Sequence, residues 1–500
     1  MTFSPDKENQ HSSPSPRWFK SKKAFNNVLF AMRLNNNKQQ PLTPKSTNQN
    51  IPPPSSRRAS KIHHFPPTDL VLDKTSLLSD QILLKILSNL PKSQRDSNCL
   101  VSKRWLNLQG RLVTSIKLLD WYFLVSGRLL LRFPNLVKID LVNGCILSPQ
   151  NLGVSVTNEL VSFHGGSDCF HRRDWFSPEN YALSGEEIDR GVRVLAAGFP
   201  NLTKLVVMNA TEMGVLTLAE ECPKLQELEL RMCSDRVLRG IAACQNLQIL
   251  QLSGSVSDVG LIILAQGCKK LTKLELNGCR GGYEGVKAIG QCCSLLDELT
   301  LTNLDMEDGW MLGLPFCESL KSLRLVSCKK ISSDVSDKSD ANDDDDDLGY
   351  CPVIKNLRLD KCQMRDKKSL TDLFLICRNA RELVLQSCWG LSDEVFGAAA
   401  GLRRVRCVSI QGCALLTARG LESVIVGWSE LRSLKVVACN NIKDEEINPE
   451  VSTAFAELKW EPDSRSRLCS GLAGTGVGRK GGKFFNKSCD WKSFRSRSDS

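Results

Sequence analysis

The sequence predicts an α/β solenoid, a stack of similar units in which short parallel strands alternate with helices. Three observations carry that expectation. A nine-residue apolar block recurs along most of the chain, as in LQELELRMC, LTKLELNGC, LKSLRLVSC, IKNLRLDKC, ARELVLQSC, VRCVSIQGC and LRSLKVVAC. Its leading residues are Leu202, Leu225, Leu247, Leu271, Leu296, Leu320, Ile354, Ala380, Val405 and Leu431, a period of about 25 residues. Between blocks the chain reads as helix, as in SDVGLIILAQGC and TARGLESVIVGW.

The strand comes first in each unit. Side chains alternate across a strand, so the two Leu of Leu-x-Leu point the same way. Parallel stacking then merges these Leu into one core, with the helices packed behind it. One unit leaves both of its flat faces uncovered, so the array must fold as a curved solenoid. LQILQLSGS and LDELTLTNL fit without the final Cys, and LTKLVVMNA and LVKIDLVNG are looser early members. A block of this form at this period is a leucine-rich repeat, with about 10–11 repeats expected within residues 116–458.

Insertions near 148–190 and 332–349 break the period. Such insertions emerge as loops on one face, often the binding face. The first contains FHGGSDCFHRRDWFSPENY; its His164, Cys169 and His171 lack a fourth ligand, so no metal site is expected. The second contains SSDVSDKSDANDDDDD, which has no calcium-loop alternation and reads as a solvated loop. Its functional alternative is attraction of a basic target or of the chain's own basic ends.

The chain has 21 cysteines, and many keep the period. Cys222, Cys244, Cys268, Cys293, Cys317, Cys351 and Cys377 end the helical halves. Cys233, Cys279, Cys328, Cys362, Cys388, Cys413 and Cys439 follow the strands. They are expected as reduced, buried small hydrophobes.

The net charge of +11 sits at the ends: +9 over residues 1–68 and +6 over 459–500, against −4 between them. A nucleic-acid-binding core is therefore not expected. No apolar run is long enough to span a bilayer, and the N-terminus lacks a secretory apolar region. Nucleus and/or cytoplasm is the expected location. Residues 1–68 read as a disordered basic Ser/Pro-rich tail with one helical island around Trp18, Phe25, Leu29 and Met32. Residues 459–500 read as a basic Gly-rich tail. There Gly476, Gly478 and Gly481 satisfy G-x-G-x-x-G without the surrounding strand and helix that a dinucleotide site requires, so no cofactor is expected.

Ahead of the repeats, residues 69–115 predict three short helices. Ser79 is a good N-cap, with Asp80 favourable in the first turn. Leu78, Ile82, Ile86 and Leu90 follow at four-residue spacing, and Pro91 stops the helix. A second run carries Cys99, Leu100 and Val101, and a third carries Trp105, Leu106 and Leu108. So small a core is marginal unless it docks on something.

Residues 76–113 resemble an F-box, and the repeats resemble the cysteine-containing class of leucine-rich repeats. Their order is that of F-box/leucine-rich-repeat proteins, and the layout is most similar to a plant branch of that family. The resemblance covers roughly residues 74–458. It implies a non-catalytic substrate receptor of an SCF-type ubiquitin ligase. The F-box would bind the Skp adaptor, and through it a cullin, while the solenoid holds a protein target for ubiquitin-dependent degradation. The matching residues are Leu78, Ile82, Ile86, Leu90, Pro91, Val101 and Trp105. The family usually has Pro where this chain has Ser79. Two other readings stand beside it: a hormone-like small-molecule co-receptor of the same architecture, and a repeat scaffold outside any ligase.

Overall fold

The computed structural model of the chain describes residues 74–146, 154–156, 182–306, 309–331, 349–364 and 367–442. The tails, the helical island, the His164/Cys169/His171 set, the acidic run and the glycine motif lie outside the described residues.

One 13-stranded sheet organises the fold. Its strands are β1 Ser115–Leu118, β2 Lys138–Asp140, β3 Val154–Val156, β4 Lys204–Met208, β5 Glu227–Ser234, β6 Ile249–Ser255 and β7 Lys273–Asn277. They continue as β8 Glu298–Thr302, β9 Ser322–Val326, β10 Asn356–Asp360, β11 Glu382–Gln386, β12 Cys407–Gln411 and β13 Ser433–Val437. From β13 back to β4 the strands lie in sequence order, followed by β2, β1 and β3. The pairings are parallel except that β3 runs antiparallel to β1 on the edge. Register is constant: Leu274, Leu299, Leu323, Leu357 and Leu383 are partners across successive strands. A single buried cluster runs the length of the array from these Leu.

The array starts one unit earlier than the blocks predict. Val113, Ile116 and Leu118 already follow Leu-x-x-Leu-x-Leu, and all three are buried. Helices Trp121–Val125 and Arg128–Arg132 complete that unit before Leu136 opens the next. The segment expected as the first insertion also contains structure. Helix Gly185–Gly198 begins at a capping box, in which Ser184 and Glu187 satisfy each other's backbone N–H.

Two devices recur along the array. The residue just before each strand-following cysteine position lies in the left-handed region, as Asn209, Met232, Asn303, Ser327, Lys361, Ser387 and Ala438, and as Gly278 and Gly412. This turns the chain from strand to helix and aims the next side chain into the core. Neighbouring units are then latched by aspartates. Asp235 accepts from Ser257 N at 2.8 Å and from Ser257 Oγ at 2.5 Å. Asp393 accepts from Thr417 N and Oγ1 at 2.8 and 2.6 Å. Asp189 serves Thr211 in the same way, and Asp258 accepts from Gly282 N at 2.6 Å.

The periodic cysteines join the units too. The thiols of Cys268, Cys328 and Cys362 donate to the carbonyls of Ile241, Leu301 and Leu325, each at 3.3 Å, and Cys293 donates to Cys268 O at 3.5 Å. All four donate back to the preceding unit. Burial pushes the thiols of Cys145, Cys244, Cys279, Cys293, Cys317 and Cys377 up to about 12. They are inert packing groups rather than reactive thiolates.

Candidate protein-docking site

The N-terminal segment forms α1 Asp80–Asn89, α2 Arg95–Cys99 and α3 Lys103–Arg111, with short 3₁₀ turns at Lys74–Leu77 and Lys92–Gln94. Ser79 caps α1 by accepting from Ile82 N at 3.4 Å, and Ser102 caps α3 by accepting from Trp105 N at 3.1 Å. Leu90 lies extended at the end of α1, directly before the exposed Pro91.

α1 is apolar on two faces, and the structure separates them. Leu83 and Leu87 are buried against Leu108, with Leu78, Leu84, Leu90, Trp105 and Leu112 packed around them. Ile82 and Ile86 point away from this core, 51% and 42% exposed. The four-residue stripe therefore divides: Leu78 and Leu90 support the core, whereas Ile82 and Ile86 do not. Val101 is 57% exposed in the turn between α2 and α3, next to the exposed Leu100. Leu77 is exposed as well, so the small unit leaves five large aliphatics in water. Such residues mark contact surfaces more often when they gather on one small element.

Trp105 is half-buried, and its Nε1 donates to Thr75 Oγ1 at 3.4 Å. Its neighbour Arg104 holds the unit together. It donates to Asp80 Oδ1 through Nε at 2.8 Å, to Thr75 O at 3.0 Å and to Leu78 O at 2.5 Å. Sequence reading missed Arg104 because its partners lie 24 or more residues away. Leu77 and Leu100 were missed because the four-residue stripe drew attention to one face only. Gly110 seats the unit on the solenoid, lying directly against Arg132, where a side chain would collide with both the backbone and the guanidinium.

A second surface is the open face of the sheet. Its outward residues form columns in register, and the middle column runs Glu229, Gln251, Glu275, Thr300, Arg324, Arg358, Val384, Ser409 and Lys435. Acidic groups occupy its earlier strands and basic groups its later ones. Several flanking charges are internally paired, as Lys204–Glu227 and Lys273–Glu298, each at 2.9 Å. Among the described residues no cluster of His, Cys, Asp or Glu is arranged to hold a metal, and no helix is long and apolar enough to cross a membrane.

A family model described as leucine-rich repeat matches residues 267–290, which contain β7 and most of the helix behind it. Solved structures give further matches. A leucine-rich-repeat protein of Leptospira interrogans is 18% identical, with 51% of this chain and 66% of that one covered, at a TM-score of 0.32. The leucine-rich-repeat-containing protein LegL7 of Legionella pneumophila is 15% identical, covering 59% and 91%, at 0.32. A chain of the yeast Rad7–Elc1 complex is 15% identical, covering 76% and 92%, also at 0.32. The match thus spans just under two thirds of the Leptospira protein, and at such scores these likenesses say nothing about function. The matched repeat and the unbroken register of the strands show a leucine-rich-repeat fold.

Proposed function

We propose that the chain is the substrate-holding subunit of an SCF-type ubiquitin ligase. Residues 76–113 act as the F-box that docks on a Skp adaptor and through it a cullin, and the solenoid binds a protein target. Leucine-rich-repeat solenoids are typically non-catalytic binding scaffolds, and this role needs no catalytic residue. The ligase raises the effective concentration of the target beside the conjugating machinery. One observation carries the reading. A three-helix unit whose small buried cluster is Leu83, Leu87 and Leu108 presents Leu77, Ile82, Ile86, Leu100 and Val101 to solvent. A partner surface that covers them supplies the burial the unit lacks.

Of the residues assigned to adaptor binding, Ile82, Ile86 and Val101 make the contact in this reading. Leu78, Leu90 and Trp105 hold the helices that present them, and Pro91 ends the first. The test is co-expression with a Skp adaptor, wild type beside an Ile82→Asp/Val101→Asp variant whose fold is checked by circular dichroism. Co-purification of wild type but not of the folded variant supports the reading. No co-purification of wild type with any adaptor makes residues 76–113 a cap on a repeat scaffold.

A further inference from the structure

On the open face of the sheet two arginines stand side by side. Arg324 of β9 and Arg358 of β10 are direct register partners. Adjacent strands lie about 4.8 Å apart, so two like charges face each other at short range, an arrangement that is destabilising by itself. One carboxylate serves both. Asp360 Oδ2 lies 3.4 Å from Arg324 Nη2 and 3.8 Å from Arg358 Nη2, and Arg358 Nη2 instead donates to Gln386 Oε1 at 2.8 Å. Two guanidinium groups thus share one poorly placed anion. The Nε atoms of both arginines and Oδ1 of Asp360 are shielded from solvent with no hydrogen-bond partner.

At Arg324 the sheet is hollowed into a depression of about 380 Å³, and Arg358 stands on the next strand just outside its lining. Arg324, Asp360 and Lys361 line it together with the hydroxyl-bearing Thr300, Ser322 and Ser327. Hydroxyls and guanidinium groups are the donors that an oxyanion needs, and paired arginines offer it a planar, two-pronged grip. Of the carboxylates in the same depression, Glu298 pairs with Lys273, Glu275 accepts from Gln251, and Asp360 stands between the arginines.

We propose that Arg324 and Arg358 form the anchor point for an anionic side chain, carboxylate or phosphoryl, of an extended target peptide lying across β8–β10. A peptide suits the place because the depression extends over β7–β10 and is lined mostly by polar side chains. This inference rests on the reading of the solenoid as the target-holding part, and it names the chemistry of what is held.

The test uses the full-length chain and three fluorescent random-flank peptide libraries with a fixed central residue: phosphoserine, Glu or Gln. Anisotropy is expected to report at least 10-fold tighter binding of the phosphoserine or the Glu library than of the Gln library. Whichever of the two binds more tightly identifies the anion. An Arg324→Gln/Arg358→Gln variant is expected to lose that preference, while a variant of Arg403, an exposed residue in the turn ahead of β12, Arg403→Gln, keeps it. Equal binding of all three libraries, or an unchanged preference in the double variant, overturns the proposal. Adaptor co-purification is measured on the same samples. A double variant that still binds adaptor but has lost the anion preference supports the anchor. Absent preference in a wild type that binds adaptor overturns the anchor and leaves the ligase reading standing.

Discussion

Arg104 and Asp80, 24 residues apart, close the N-terminal unit: Nε of the arginine donates to Oδ1 of the aspartate at 2.8 Å, while its other nitrogens take the carbonyls of Thr75 and Leu78. The ion pair alone is half exposed, 35% and 49% at the two side chains, and contributes at most about 1 kcal/mol. The bonds from a charged donor to two carbonyls add to it. Arg104→Ala is expected to loosen α1 by about 2 kcal/mol. Amide hydrogen exchange over residues 80–89 should then quicken roughly 30-fold, with β4–β13 unchanged. Equal quickening along the solenoid would mean that the unit has no stability of its own.

Asp235 and Ser257 are the clearest of the inter-repeat latches, with two hydrogen bonds at 2.8 and 2.5 Å to one carboxylate. Asp235→Ala leaves the Ser257 amide and hydroxyl without that acceptor and is expected to cost about 2 kcal/mol in urea unfolding, against about 1 kcal/mol for Ser257→Ala. Because the two share the interaction, the double variant should cost less than the sum. Strict additivity would show that the latch contributes little.

The buried thiols predict alkaline instability. Burial holds Cys244, Cys279, Cys317 and Cys377 at about 12 against an ordinary 9.0. A group whose folded pKa is raised stabilises fully below its unfolded value and loses that contribution as pH rises toward the folded one. Under reducing conditions the melting temperature should hold to about pH 8.5 and then fall steadily toward pH 11. Replacing Cys244 and Cys377 with Ala should make that fall shallower, and an unchanged slope would assign it to other groups.

Much of this fold is legible in the spacing of its leucines, because the residues that set the period also build the core. Leu274, Leu299 and Leu323 are both the repeat signature and the register partners. What stayed hidden depends on partners distant in sequence. β1 escaped because VTSIKLLD lacks both the opening Leu and the closing Cys. Asp235 reads as an ordinary helix-start residue, and its bond to Ser257 appears only once the units stack. In α1 the four-residue spacing marked Ile82 and Ile86, yet Leu83 and Leu87 fill the core, since a helix apolar on two faces gives no hint of which one turns inward. The arginine pair on the open face occupies the variable position between two core Leu, so its chemistry is readable only after the strands are set side by side.

The most direct test of the central claim is a calorimetric titration of a purified Skp adaptor into the full-length chain, comparing wild type with Ile82→Ala/Ile86→Ala and with Leu131→Ala. Leu131 is an exposed aliphatic on the first repeat, outside the proposed contact. The account predicts that the α1 variant loses about 100-fold in affinity, some 3 kcal/mol, with its circular dichroism unchanged, and that Leu131→Ala binds as wild type. Wild-type affinity in the folded α1 variant would contradict it.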